Sequence, residues 1–214
     1  MKYSILKFKG NKKYKIKDLE KLKEFLSLKY KEKAEIYNYL SEKSEVSHDK
    51  LQYKLIKNNL SVMTVGEAVK INMKLFEEAE YPDIDGNIYS DAEKEIQIIN
   101  EEISYSQDIM YNYKFVTPYL PLNEDNFRKY LRGEYTLNEV IRENITEVLK
   151  EFAINLEENQ KIYIEQSLWI TSENLRNFDM ITFLGEFSTN VKLPDYFSLG
   201  RKKDIGYGTF INII

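Results

Sequence analysis

Apolar residues recur along this chain with two periods, and the switches between them mark the elements. From Lys2 to Lys9, Tyr3, Ile5 and Lys7 alternate with Ser4, Leu6 and Phe8, a period of two that predicts a strand closing at Gly10-Asn11. Leu19, Leu22, Leu26, Tyr30, Ala34 and Tyr37 then return every three or four residues, which predicts one helix of about twenty residues capped at Asp18. Gln52 to Ile56 and Ser61 to Thr64 flank Asn58-Asn59, whose tolerance of positive φ suits a two-residue hairpin. Thr64-Val-Gly-Glu67 has capping-box spacing before Ala68, Ile71, Leu75 and Ala79, a second helix. Beyond the turn-rich Tyr81-Pro-Asp-Ile-Asp-Gly86, Ile96, Ile98, Ile103 and Tyr105 predict a fourth strand interrupted near Asn100.

The second half follows the same logic without detectable sequence repetition. Ile109, Tyr111, Tyr113 and Phe115 alternate as a strand that ends at Thr117-Pro118. A short helix from Glu124 to Leu131 stops at Gly133, and Thr136-Leu-Asn-Glu139 caps a helix carrying Leu137, Ile141, Ile145, Val148 and Phe152. Strands are expected over Lys161 to Ile170, Asp179 to Val191 and Tyr207 to Ile213. The first half is β-α-β-β-α-β, so the expected fold class is α+β with tandem ferredoxin-like domains, residues 1–107 and a modified copy over 108–214.

Composition narrows the function classes. With 214 residues and 43% apolar content, the chain can bury one large core or two of about 100 residues. It has no run of eighteen apolar residues and no signal-peptide stretch near its lysine-rich start, so a cytoplasmic protein without membrane association is expected. The absence of cysteine removes disulfides and thiolate chemistry, and with a single histidine no metal site and no cofactor are expected. The net charge of −4 hides a polarity along the chain. Met1 to Lys33 holds twelve lysines against four acids, a balance of +8, whereas Phe76 to Asp108 holds eleven acids against Lys94 alone, a balance of −10. A basic face suits local RNA contact; solvated helix faces are the alternative reading.

Three of the eight glycines lie near the end, in Gly200-Arg-Lys-Lys-Asp-Ile-Gly-Tyr-Gly208. Gly200, Gly206 and Gly208 allow positive φ or close backbone approach, Arg201, Lys202 and Lys203 supply charge at the tip, and Tyr207 is presented for stacking. Such a loop suits a polyanion, with Ser198 and Thr209 as weaker phosphate ligands; a plain glycine-rich hairpin is the competing reading. No Walker or dinucleotide-binding spacing is present.

The segment Leu184 to Thr209, with Leu51-Gln-Tyr-Lys-Leu-Ile and Phe115-Val-Thr-Pro-Tyr-Leu-Pro-Leu-Asn-Glu-Asp-Asn-Phe, resembles the signatures of CRISPR repeat-RNA processing endoribonucleases of the RAMP superfamily. The resemblance implies tandem ferredoxin-like domains, CRISPR repeat RNA as partner, other CRISPR effector proteins as further partners, and metal-independent cleavage by the 2′-hydroxyl beside the scissile phosphate. Oligomeric state stays open. Laying Leu51-Gln-Tyr-Lys54 on the family's H-N-H-I-x-D-K-x-x-Y-R-Y-P-x-I-Q-Y-K places Tyr37 and Tyr39 opposite both family histidines, with His48 eleven residues after Tyr37. A phenol, with an ordinary pKa of about 10, is a poor base near neutrality. The candidate catalytic residues are therefore Tyr37, Tyr39, His48 and Lys50, and the candidate RNA contacts are Lys54, Gly200, Arg201, Lys202, Lys203, Gly206, Tyr207 and Gly208. Periodicity puts Tyr37 on the apolar face and Tyr39 away from it, and alternation about Tyr53 puts Lys50 and Lys54 on the outward sheet face. Against this endoribonuclease reading stands a catalytically lapsed relative that only holds RNA or a partner protein.

Overall fold

The computed structural model of the chain describes residues 1–40, 50–84, 93–175 and 178–213. They form two compact units, Met1–Glu101 with Asp204–Gly206, and Glu102–Lys203 with Tyr207–Ile214.

In the first unit the order is β1 (Lys2–Lys9), α1 (Asp18–Lys29), α2 (Ala34–Leu40), β2 (Leu51–Ile56), β3 (Asn59–Val65), α3 (Val69–Glu78) and β4 (Glu93–Asn100). The strands form one antiparallel sheet in the order β2-β3-β1-β4. This is the arrangement that two β-α-β crossovers around a central hairpin produce. Leu6, Phe8, Leu60 and Val62 on the sheet pack with Leu19, Leu22 and Leu26 of α1 and with Ile71 and Leu75 of α3. The hairpin turns at Lys57 and Asn58, both at positive φ.

The single helix of about twenty residues is two helices. Continuing the Leu22, Leu26, Tyr30 face would bury residues 33–34 and 37, yet Ile36 and Leu40 are the buried residues of α2. The charged run Lys31-Glu32-Lys33 breaks the apolar face there, and the chain restarts in a new phase.

The second unit comprises β5 (Ser104–Tyr105), β6 (Tyr111–Tyr119), α4 (Glu124–Leu131), α5 (Leu137–Glu151), β7 (Ile164–Leu175), β8 (Phe178–Thr189), β9 (Val191–Lys192) and β10 (Phe210–Asn212). The interruption expected near Asn100 is a full break: β4 ends at Asn100, and β5 is a separate strand that pairs with β9. The main sheet has the order β10-β6-β8-β7, the same permutation as the first. Its core is aromatic: Phe115 stacks on Tyr119 at 4.4 Å and meets Phe187 at 5.0 Å, while Phe210 approaches Tyr113 edge-on at 5.3 Å. Val140, Ile141, Ile145, Val148 and Leu149 of α5 contribute its buried side. Thr136 and Glu139 form the expected capping box at its start. No described helix is long and apolar enough to cross a membrane.

Candidate functional site

In the second unit the crossover from β8 to β10 contains no α-helix among the described residues; the glycine-rich loop fills that connection. Its hold on the unit comes from the segment after Phe115, where β6 leaves register with β8. Pro118 has no N–H to give the ladder, and its carbonyl instead accepts from Gly208 N at 2.8 Å. Thr117 Oγ1 accepts from Thr209 N at 2.8 Å, and Leu120 O accepts from Arg201 N at 3.0 Å. The Thr-Pro motif and the glycine loop, separate signatures in the sequence, are thus one hydrogen-bonded assembly. Gly208, at φ +64°, lies so close to Leu199 that a Cβ would overlap its carbonyl.

Several loop residues expected at an RNA surface turn inward. Tyr207 is 3% exposed, so the loop does not present it. Ser198 and Thr209 are buried and their hydroxyls bond each other at 3.0 Å, which corrects their reading as phosphate ligands. Gly200 packs under Tyr119 and the Leu120 carbonyl. Outward remain Arg201, whose Nη1 donates to Leu122 O at 3.1 Å, and Lys202, at φ +58°. Lys203 is half-buried and paired with Glu151 at 2.9 Å. Arg201 also borders a groove of about 550 Å³ that carries Glu124, Asp125 and Asp179.

Asp204–Gly206 packs with the first unit. Lys23 Nζ reaches Asp204 at 3.0 Å. Gly206 takes φ +84°, and a Cβ there would overlap Leu19 Cδ1 and lie 3.0 Å from Tyr53 O. Close approach is what this glycine provides, and the neighbour is the protein's own backbone.

The residues standing opposite the family histidines lie on α2. Tyr37 and Tyr39 are both half-buried, and Tyr39, expected off the apolar face, packs against the first-unit core because the helix restarts in a new phase. Lys50, just before β2, donates to Glu67 at 2.6 Å. That hydrogen bond holds the Lys50 ammonium above the ordinary lysine range, with burial opposing and Tyr39 among the smaller electrostatic contributors. The same contact holds the Glu67 carboxyl below its ordinary range. Lys50 is thus a cation held by Glu67, suited to donate to a phosphate oxygen and unsuited to accept a proton. Lys54 is 0% exposed, which corrects its placement on the outward face. His48, with Asp49, lies outside the described residues.

The basic start and the acidic middle of the chain neutralise each other within the first unit. Lys7 and Lys9 pair with Glu95, Lys29 with Glu80, and Lys33 with Glu78. Among the lysines that stay exposed are Lys13, Lys15 and Lys17 in the β1–α1 connection, joined to the β2–β3 turn by Tyr14 N donating to Asn58 O at 3.0 Å, where Lys57 is also exposed. This lysine cluster was hidden in the sequence within a twelve-lysine count; only strand pairing shows which lysines are consumed.

Residues 1–102 match the Cas6b N-terminal domain model and residues 105–213 the Cas6b C-terminal domain model. Among solved structures, a Cas6b crystal structure superposes with a TM-score of 0.79 at 23% identity, and a CRISPR RNA processing endoribonuclease Cas6b at 0.73 and 21%, each covering all of both chains. These likenesses carry the fold. An uncharacterized protein of Methanocaldococcus jannaschii is 28% identical over 134 residues, 60% of this chain and 89% of that one.

Proposed function

This chain belongs to the Cas6b family, and from that premise we propose that it binds CRISPR repeat RNA and cleaves it slowly, by 2′-hydroxyl attack without an imidazole base at α2. The observation that supports the reading is Lys50 held by Glu67 at 2.6 Å, its ammonium kept above the ordinary lysine range chiefly by that hydrogen bond, with half-buried Tyr37 and Tyr39 standing on α2. Cleavage of this kind needs a base at the 2′-hydroxyl, a donor at the leaving 5′-oxygen and positive charge at the phosphorane. Lys50 supplies the charge and Tyr39 a hydroxyl that donates to the leaving 5′-oxygen, while the 2′-proton passes to solvent water in place of an imidazole, which makes the step slow. Arg201 and Lys202 of the loop, with Lys13, Lys15, Lys17 and Lys57, are exposed cations available to phosphates.

The test uses a synthetic CRISPR repeat RNA that the protein binds, in EDTA, with and without a 2′-deoxy substitution at the scissile nucleotide. The deoxy RNA should bind as tightly as the natural one and stay intact, while the natural RNA yields product slowly. Cleavage of the deoxy RNA would refute 2′-hydroxyl attack. Lys50→Gln should lower the cleavage rate and leave affinity unchanged. A second reading, a lapsed enzyme that only holds RNA, is favoured by the loss of both histidines; it predicts no product from either RNA at any incubation time.

A further inference from the structure

The outer edge of the second unit's sheet is β7, twelve residues long and, among the described residues, flanked on one side only, by β8. Edge strands of soluble proteins are guarded by lysine, proline, bulges or covering segments, because their free N–H and C=O groups recruit another strand. β7 is lightly guarded: it has no lysine or proline, its charges are Glu165 and Glu173 towards its ends, and Gln166 to Ser172 carries none. Its pairing with β8 is continuous from Ile164 to Leu175 without a bulge. Trp169 is 54% and Ile170 63% exposed, on opposite faces. The N–H of Leu168 donates to the side chain of its own neighbour Gln166 at 2.8 Å, which identifies the even-numbered residues as those facing the open edge.

We infer that β7 is the pairing edge of a homodimer in which the strands of two copies meet antiparallel about Ile170. The charge pattern selects that register. Centring on Trp169 would set Glu165 of each copy opposite Glu173 of the other, a like-charge pair made twice. Centring on Ile170 sets Glu173 opposite Ser167 and Glu165 opposite Leu175, and keeps the pairing inside the strand. The outward residues then form hydrogen-bonded pairs: Gln166 with Asn174, Leu168 with Ser172, and Ile170 with itself. Trp169 faces Thr171 of the other copy and lies diagonal to its Trp169, within reach for an aromatic side chain. RNA is a poorer occupant, since the charges of the described hairpin residues, Glu165, Glu173, Asp179 and Glu186, are all acidic.

Sedimentation velocity of the full chain, without RNA, from low micromolar to several hundred micromolar tests this. The wild type should shift from monomer to twice the chain mass as concentration rises. Ile170→Lys places like charges on the two-fold axis, and Ser172→Pro removes an N–H that points to solvent in the monomer, so both should stay monomeric with unchanged circular dichroism. Because the chain has no cysteine, single reporters fix the register. Ile170→Cys puts the two Cα atoms about 5.5 Å apart, inside the disulfide range, and should cross-link under mild oxidation. Trp169→Cys, diagonal at about 7–8 Å, should not. A wild type that is monomeric throughout, a dimer indifferent to both edge variants, or cross-linking at Trp169→Cys in place of Ile170→Cys would overturn the proposal. So would loss of RNA binding by a monomeric Ile170→Lys, which would make the edge a nucleic-acid contact.

Discussion

Gly206→Val is the sharpest test of what the glycine loop does. At φ +84° a residue with a Cβ pays the left-handed penalty of about 1–2 kcal/mol. The added side chain would also overlap Leu19 Cδ1 and press on Tyr53 O. Overpacking of a filled site costs about 1–3 kcal/mol more, so the loss should total roughly 2–5 kcal/mol. Gly66→Val is the matched control: Gly66 has φ +64°, and a Cβ there meets nothing within 4 Å, so only the conformational part should appear. The assay is native-state hydrogen exchange on first-unit amides near Leu19 and Tyr53, with urea unfolding alongside. Equal losses for the two variants, to within about 0.5 kcal/mol, would refute the close-approach argument.

Arg201→Ala with Lys202→Ala should weaken repeat-RNA binding and lower the slope of log affinity against log salt by about 2, one for each phosphate contact; an unchanged slope in an anisotropy titration removes the loop from the RNA surface. Lys203→Ala should change the slope less, because its ammonium already faces Glu151. Thr136→Ala should cost about 1 kcal/mol by loss of the α5 capping box, read as a lower urea midpoint at unchanged m-value. Glu139 is held below the ordinary value of 4.5 chiefly by the Thr136 backbone N–H, so its contribution is present above pH 4.5 and is lost as pH falls through the depressed folded value. Acid titration of wild type and Glu139→Gln should therefore converge below that value, and a gap that widens on acidification would contradict the cap.

Strand and helix existence was legible wherever one face is buried, as in α5 and β6, because burial imposes the period that the sequence displays. The break between α1 and α2 was not: Ala34 and Tyr37 continue the spacing, and only tertiary burial of Ile36 and Leu40 selects the other phase. Lys54 and Tyr207 show a second blind spot, since alternation assigns a face but not what covers it. The glycine loop was legible as a place where backbone comes close. Its neighbours, Leu199, Tyr119 and Tyr53, are far away in sequence or across a turn, and spacing alone could not choose them over a phosphate. Charge blocks misled for the same reason: Glu78, Glu80 and Glu95 answer the amino-terminal lysines only once the sheet and helices are built.

The central claim is that the family's reaction runs here without its imidazoles, and single-turnover cleavage of the native repeat RNA in EDTA tests it most directly, comparing wild type with Tyr37→His combined with Tyr39→His. General acid–base catalysis contributes about 10²- to 10⁴-fold, so the double histidine variant should cleave faster by a factor in that range at equal RNA affinity. A wild type that cleaves as fast as the variant, and loses that activity on His48→Ala, would contradict the account and make His48 the base.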